Sequence, residues 1–362
     1  MTIQACVQFT RPSGFCLNTQ LQINHPGVTA IYGQSGAGKS TLLRILAGLE
    51  RGHTTDKIRI TVDEQIWQDH DRFLLPEKRA IGFVFQGQHL FPHLSVRDNL
   101  LFALKRQHRR SPISLENIIE SFELGPLLNQ KGALLSGGES QRAAIARVII
   151  NGPKIILMDE PLASLDYPAK QRILNCLNIL KEEFQIPILY VSHQWDEITQ
   201  IADEVQYIDA GVITHKGDIA RMSTSFELGL YNGDSAAAVI YCRVVSHDSK
   251  YGLTQLEFEG NDLFVSRLNQ SPGQTVRLRI SATDTSIVSE RPKASSILNI
   301  LETSVDDIFT EDMTTLVRLR CGSQNLLARI TRKSSDSMAI AKGQRMFAQI
   351  KTTSLMRQSH EP

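Results

Sequence analysis

Val28-Thr29-Ala30-Ile31-Tyr32-Gly33-Gln34-Ser35-Gly36-Ala37-Gly38-Lys39-Ser40-Thr41-Leu42-Leu43-Arg44-Ile45-Leu46-Ala47 joins an apolar run, a glycine-rich turn and a helix-forming stretch in direct succession. The turn fits GxxxxGK[ST], and its setting, strand before and helix after, is the one that pattern requires. Glycines let backbone N–H groups turn inward around a phosphate, and the helix start adds a partial positive charge. Residues Gly33, Gln34, Ser35, Gly36, Ala37, Gly38, Lys39, Ser40 and Thr41 therefore form a candidate nucleotide-phosphate cradle. Lys39 is placed to reach the β- and γ-phosphates and Ser40 to ligate Mg²⁺.

Outward from this stretch, the apolar runs Ile81–Phe85, Ile155–Met158 and Ile188–Val191 join Val28–Tyr32 as candidate buried parallel strands. Ligands in an open parallel sheet bind outside the carboxyl ends of its strands. Ile155–Met158 delivers Asp159 and Glu160 to such an end. Asp159 is expected to hold the Mg²⁺ shell and Glu160 to polarise the attacking water as general base. A helical insert is expected over about 87–150. It contains the helix-prone run Leu115–Phe122 and a helix from about Gly138 to Ile150 that stops at Asn151-Gly152-Pro153. Ser136-Gly137-Gly138 at the mouth of that helix makes a second anion-binding N-terminus.

Leu135-Ser136-Gly137-Gly138-Glu139-Ser140-Gln141 matches LSGGE-x-Q, and on it the chain resembles the ATPases of ABC transporters. The resemblance implies a homodimer in which Ser136, Gly137 and Gly138 of one subunit close on the nucleotide of the other. It makes Gln86 the Q-loop glutamine, a ligand of Mg²⁺ and water. It places Asp166 of Ser164-Leu165-Asp166 in the D-loop and makes His193 the switch histidine of the γ-phosphate. Phe9 and Phe15 are the nearby aromatic candidates for adenine. Leu90-Phe91-Pro92-His93-Leu94-Ser95-Val96-Arg97-Asp98-Asn99 looks like the segment with which importer ATPases grip a membrane permease.

From about 233 the character changes to short strands, Leu253–Phe258, Leu263–Val265, Val276–Ile280, Leu316–Leu319 and Leu326–Ile330, with hairpin loops at Glu259–Asp262 and Cys321–Asn325. Gly273-Gln274-Thr275-Val276, followed by Ile280, echoes Gly343-Gln344-Arg345-Met346, followed by Ile350; either chance or a repeated β-module produces this. Arg291–Glu302, Arg329-Ile330-Thr331 and Lys342–Lys351 resemble the Mop domain, the oxyanion-binding module of molybdate-importer ATPases. That resemblance assigns Ser295, Ser296, Asn299 and Lys351 to an oxyanion site, with Leu298 standing where the family often has arginine.

The 39 basic and 38 acidic residues leave a net charge of +1, which gives no footprint for nucleic-acid binding. Five scattered cysteines form no CxxC pair, so neither a disulfide framework nor a zinc site is expected. No signal peptide and no apolar run of about 18–20 residues is read, so a cytosolic chain reaching the membrane only through a partner is expected. The expected architecture is α/β: a P-loop ABC ATPase domain over 1–232, then a β-rich, OB-like Mop/TOBE domain over 233–362, with its Mop-like part at about 291–357. The expected activity is ATP hydrolysis, with Mg²⁺, coupled to molybdate or tungstate uptake. The implied partners are a permease and, through it, a periplasmic or extracellular binding protein, with the ATPase on the cytoplasmic face. Two alternatives are an ATPase for sulfate or sugar import and a soluble ABC ATPase, although each motif occurs once and no heptad run exists.

Overall fold

The computed structural model describes residues 2–23, 26–53, 56–87, 90–107, 113–229 and 236–352, with the side chains of 182–184 excepted. They fall into two compact units, Met1–Gly217 and Asp218–Pro362. The expected boundary after 232 lies among residues outside this description, as do 353–357 of the Mop-like part. The unit boundary comes earlier because the short segment after Gly217 packs on strands of the second unit. The Val239 N–H donates to Ser223 Oγ (3.1 Å), and Arg318 donates to the Thr224 carbonyl (3.1 Å) while lying over the Phe226 ring.

In the first unit, β1 (Ile3–Thr10), β2 (Cys16–Ile23), β4 (Lys57–Val62) and β5 (Gln65–Gln68) form an antiparallel sheet in the order β2-β1-β4-β5. Strict alternation in β1 and β2 buries one face, Ile3, Ala5, Val7 and Phe9 among its residues. This sheet was not anticipated. A larger sheet combines β3 (Val28–Tyr32), β6 (Ile81–Val84), β7 (Ile155–Asp159), β8 (Ile188–Ser192), β9 (Glu204–Asp209) and β10 (Val212–Asp218) in the order β10-β9-β3-β8-β7-β6. The links from β9 through β3, β8 and β7 to β6 are all parallel. The four expected strands are all in it: β3, β7 and β8 are buried on both faces, as unbroken apolar runs require, while β6, at the sheet edge, is buried on one face and half-buried on the other.

Helix α1 (Lys39–Ala47) follows β3 directly. Its C-terminus ends on Gly48 at φ 75°, whose N–H donates to the Ile45 carbonyl, and Arg79 donates to the Ile45 (3.0 Å) and Leu46 (2.6 Å) carbonyls. The expected helical insert contains α2 (Val96–Leu104), α3 (Leu115–Ser121) and α4 (Gly137–Ile150). Helices α5 (Tyr167–Phe184) and α6 (Trp195–Ile201) complete the unit. Among the described residues no helix is long and apolar enough to cross a membrane.

The second unit opens with α7 (Ile219–Ser223) and contains two sheets. One is β11 (Ala237–Asp248), β12 (Leu253–Phe258), β13 (Asn261–Ser266) and β14 (Thr275–Ser281), in the order β13-β12-β11-β14. The other is β15 (Thr285–Val288), β16 (Asn299–Glu311), β17 (Thr314–Cys321), β18 (Gln324–Thr331) and, after α8 (Arg332–Ser337), β19 (Arg345–Ile350). Its order, β15-β19-β16-β17-β18, reproduces the first sheet with one strand added. The long strands β11 and β16 were not anticipated.

The sequence echo is a structural repeat. The pairing of β11 with β12 shifts register between Val244 and Ser246, and that of β16 with β17 between Val305 and Asp307. At the first bulge Gly273 N–H donates to the Val244 carbonyl (2.8 Å) and Val244 N–H to the Gln274 carbonyl (2.9 Å). At the second, Gly343 N–H donates to the Val305 carbonyl (2.8 Å) and Val305 N–H to the Gln344 carbonyl (2.9 Å). Each Gln side chain also closes its own turn, on Ser271 N–H (2.6 Å) and Ala341 N–H (3.0 Å).

Two side-chain amides join the repeated modules by imitating a strand. Asn299 accepts from Phe264 N–H (2.6 Å) and donates to the Phe264 carbonyl (3.0 Å) and to Thr352 Oγ1 (3.3 Å). Gln324 accepts from Tyr241 N–H (2.8 Å) and donates to the Tyr241 carbonyl (2.9 Å). Asn299 is fully buried, so Asn299→Ala strips both partners from Phe264. A destabilisation of about 1–3 kcal/mol is expected, read as a lower denaturation midpoint of the full chain by circular dichroism.

Candidate functional site

Register aligns the strand ends. Tyr32 pairs with Ser192, Val191 with Asp159, and Met158 with Val84. The turns leaving β3, β7, β8 and β6 therefore emerge side by side at the carboxyl edge of the sheet, carrying Gly33–Gly38, Glu160, His193 and Gln86. Gly33 passes so close to β9 that a Cβ there would lie 2.1 Å from the Ile208 carbonyl oxygen, so no other residue fits. Gly36 and Gly38 take φ 83° and 99°, the left-handed turn that faces N–H groups inward.

Lys39 is 4 % exposed, and its ammonium donates to the Gly33 (2.7 Å) and Gln34 (2.8 Å) carbonyls. Burial pulls its pKa down, and the Glu160 and Asp159 carboxylates oppose that. Ser40 Oγ donates to Asp159 Oδ1 at 2.8 Å, and burial raises the Asp159 pKa although this bond opposes the shift. A hard cation with oxygen ligands suits this pair: two oxygen donors already converge, and the carboxylate lacks solvation that a cation would replace. Glu160 sits at φ 44°, a strained value for a side-chain-bearing residue. Its Oε1 lies 3.0 Å from His193 Nδ1. Four expected site residues, Ser40, Asp159, Glu160 and His193, are thus brought into two touching pairs. Gln86 lies exposed just past β6.

Of the two aromatic candidates for adenine, Phe9 is buried in the core of the first unit. Phe15 is half-buried, and a Cβ at Gly38 would meet its ring at 2.8 Å, so this ring covers the cradle.

The second expected cradle is also built. Ser136 caps α4 in a reciprocal box: its Oγ accepts from Glu139 N–H (3.4 Å) while its N–H (2.8 Å) and hydroxyl (2.7 Å) donate to Glu139 Oε2. These bonds hold the Glu139 carboxyl below the usual carboxylate range. The first-turn N–H groups of α4 face a recess of about 250 Å³ lined by Ser136, Gly138, Arg142, Ser164, Asp166 and Arg172 among others. A Cβ on Gly138 would come within 2.7 Å of Ala169 Cβ, so glycine here sets how closely α4 meets α5. Asp166, expected in the D-loop, stands at the start of α5. Its carboxylate caps α5, accepting from Ala169 N–H at 2.9 Å, and thereby fixes the D-loop backbone.

The expected docking segment is shaped from within. Buried Asn99 accepts from Phe91 N–H (2.9 Å) and donates to the Phe91 (3.2 Å) and Ser95 (3.0 Å) carbonyls. Arg147, from α4, donates to Asn99 (3.2 Å) and stacks over the Phe91 ring. Pro92 and His93 are exposed. In the second unit, Asn299 pairs with Ile350 across the sheet, so Ser295–Leu298 and Lys351 leave the same sheet end; Ser295, Ser296 and Lys351 are exposed. The Asn299 amide is occupied by Phe264 and is removed from the expected oxyanion set.

Sequence reasoning missed the groups behind His193: Lys170, Tyr190, Ser192 and Glu197. The one signal was Glu197, an acid among the apolar residues Trp195, Ile198 and Ile201 on the buried side of α6.

Comparison with known proteins agrees with this geometry. The ABC transporter family model matches residues 16–163 and the TOBE domain model matches 295–356. The molybdenum import ATP-binding protein ModC 1 of Azotobacter vinelandii is 42% identical over 349 residues, 95% of this chain and 96% of the relative. The corresponding protein of Methylococcus capsulatus is 40% identical over 345 residues, with the same coverages. Among solved structures, a dimeric ATP-binding cassette in a post-hydrolysis state with ADP and Pi superposes with TM-score 0.50 at 28% identity, over 60% of this chain and 98% of that one. The cbiO1 cassette of Clostridium perfringens gives TM-score 0.52 at 27% identity, over 60% and 88%.

Because the α4–α5 contact leaves no room beyond a hydrogen at Gly138, Gly138→Leu is expected to destabilise the chain by about 1–3 kcal/mol. Hydrogen exchange is expected to rise in 164–169, where α5 is pushed away; unchanged protection there would remove the packing role.

Proposed function

Because this chain belongs to the family of molybdenum import ATP-binding proteins, we propose that it is the ATP-hydrolysing subunit that drives molybdate uptake through a membrane permease. The observation that carries the hydrolytic part is the pairing at the sheet's carboxyl edge: Ser40 with Asp159, and Glu160 with His193 at 3.0 Å. Two anion-binding N-termini, at α1 and α4, fit a homodimer in which each nucleotide lies between the Gly33–Thr41 cradle of one copy and Ser136, Gly137 and Gly138 of the other.

In this reading Phe15 stacks on adenine, the N–H groups of 34–38 hold the phosphates, and Lys39 exchanges its two carbonyl partners for phosphate oxygens. Ser40 and Asp159, with Gln86, hold Mg²⁺, which when bound neutralises charge on the phosphates. Glu160 accepts the proton of the attacking water, and His193 orients Glu160 through their contact while facing the γ-phosphate. The carboxylate is already aimed, so little reorganisation remains at the moment of reaction.

Importer ATPases work against permeases, and the loop shaped by Asn99, with Pro92 and His93 presented outward, suits that docking. Such docking implies a position on the cytoplasmic face, with a periplasmic or extracellular binding protein beyond the permease. For the second unit, Ser295, Ser296 and Lys351 supply hydroxyl and ammonium donors for a tetrahedral dianion. An anion that favours the open dimer by a factor of ten inhibits by about 1.4 kcal/mol and no more.

Glu160→Gln should retain ATP binding while lowering turnover by about 100-fold or more, and the variant should accumulate as an ATP-bound dimer in size-exclusion chromatography. Wild-type turnover in it would falsify the general-base role. For the second unit, rising molybdate should reduce ATP turnover of the permease-bound complex. Ser296→Asp, which places a like charge at the site, should abolish that response while leaving turnover without molybdate unchanged. A response that survives the substitution removes the oxyanion assignment.

A further inference from the structure

Behind the switch turn lies a polar network that none of the roles above uses. Glu197, on α6, has a side chain only 5 % exposed. Its Oε2 accepts from Tyr190 Oη (2.9 Å) and from Ser192 Oγ (2.9 Å), and its Oε1 accepts from Lys170 Nζ (3.0 Å). Lys170 also donates to Gln194 Oε1 (2.6 Å), and Ser192 Oγ accepts from Gln194 N–H (3.0 Å). Both carboxylate oxygens are thus satisfied, as a buried charge requires. Burial beside Glu197 drives the Tyr190 phenol well above its usual range, so it stays a donor.

The geometry has two ends. At one, the residues immediately before and after His193, Ser192 and Gln194, are both tied to the Glu197–Lys170 pair. The His193 ring is left to reach Glu160. At the other, Lys170 lies in the first turn of α5, and its N–H donates to the Asp166 carbonyl (3.0 Å), the helix cap that carries the D-loop. The carboxylate is needed as such. A glutamine at 197 would point an N–H₂ group either at Lys170 or at the two hydroxyls, which already donate.

We propose that Lys170 and Glu197 are positioning residues that bind the switch turn carrying His193 to the Asp166-capped start of α5, so that the two shift as one body. Displacement of the D-loop then moves His193 relative to Glu160, and a misplaced D-loop withdraws the histidine. Neither residue touches nucleotide; both act through His193. This rests on the ATP-hydrolysis reading.

The test is steady-state ATPase kinetics of the full chain. Lys170→Met should lower kcat by about 10-fold while KM for ATP stays within about 2-fold, and Lys170→Arg should restore most of the rate. In a His193→Ala background the same Lys170→Met change should alter kcat by less than about 2-fold, because the residue acts through the missing ring. Should Lys170→Met fold poorly with Glu197 left unpaired, the double variant Lys170→Met/Glu197→Gln removes both charges and is read the same way. Equal fold-losses with and without the His193→Ala substitution, a KM that rises in step with the fall in kcat, or a folded variant turning over like wild type would each overturn the proposal. The underlying reading is tested separately: a wild-type chain without ATP turnover removes the premise before any variant is compared.

Discussion

The in-register parallel pairing of β3, β8 and β7 is the constraint on which the site depends. Backbone ladders buried between layers make full pairing obligatory, since an unpaired N–H or C=O there would be costly, and the packing of the side chains selects the register. Because Tyr32 stands opposite Ser192, and Val191 opposite Asp159, the phosphate turn, the carboxylates and the histidine leave the sheet at one level. A slip of one residue would turn each of them to the opposite face. Gly33 secures the level from the other side, since contact with the Ile208 carbonyl excludes any larger residue.

Placed at that edge, the charged groups sit in partial conflict with their surroundings. Lys39 is buried against carbonyls, Asp159 is raised by desolvation, and Glu160 is held at a left-handed φ. Each is a feature that folding alone would not favour. The neighbouring cradle at Ser136 differs in kind. Its capping box is internally satisfied, so it is a rigid surface to be presented rather than a strained one to be relieved.

In the second unit the equivalent constraint is the joining of two repeated modules. Neither sheet closes on itself, and edge strands need covering. Asn299 and Gln324 serve as one-residue strands against the backbones of Phe264 and Tyr241. Asn299, which family likeness assigns to an anion site, here spends its amide on Phe264, while Ser295, Ser296 and Lys351, assigned with it, are exposed.

The sequence by itself determined the chemistry that is local. A phosphate cradle needs glycines, a lysine and a hydroxyl in unbroken order, and a helix start needs its cap within three residues. Gly33–Thr41, Asp159–Glu160 and Ser136–Glu139 were therefore legible, as were β3, β7 and β8, whose apolar runs admit no alternation, and the edge strand β6. Tertiary structure decided everything set by a partner far along the chain. Phe9 and Phe15 look alike in sequence; the pleat of β1 sends Phe9 into the core, while Phe15, in the connection to β2, lies over Gly38. The N-terminal sheet was not read although alternation in β1 and β2 is a strand signal; what no local pattern shows is the pairing of β1 with β4, more than 40 residues away. The pairing of Asn299 with Phe264, the Asp166 cap and the Lys170–Glu197 network were not legible for one reason. A polar side chain's role is fixed by which donor or acceptor the fold brings to it, and no spacing rule records that.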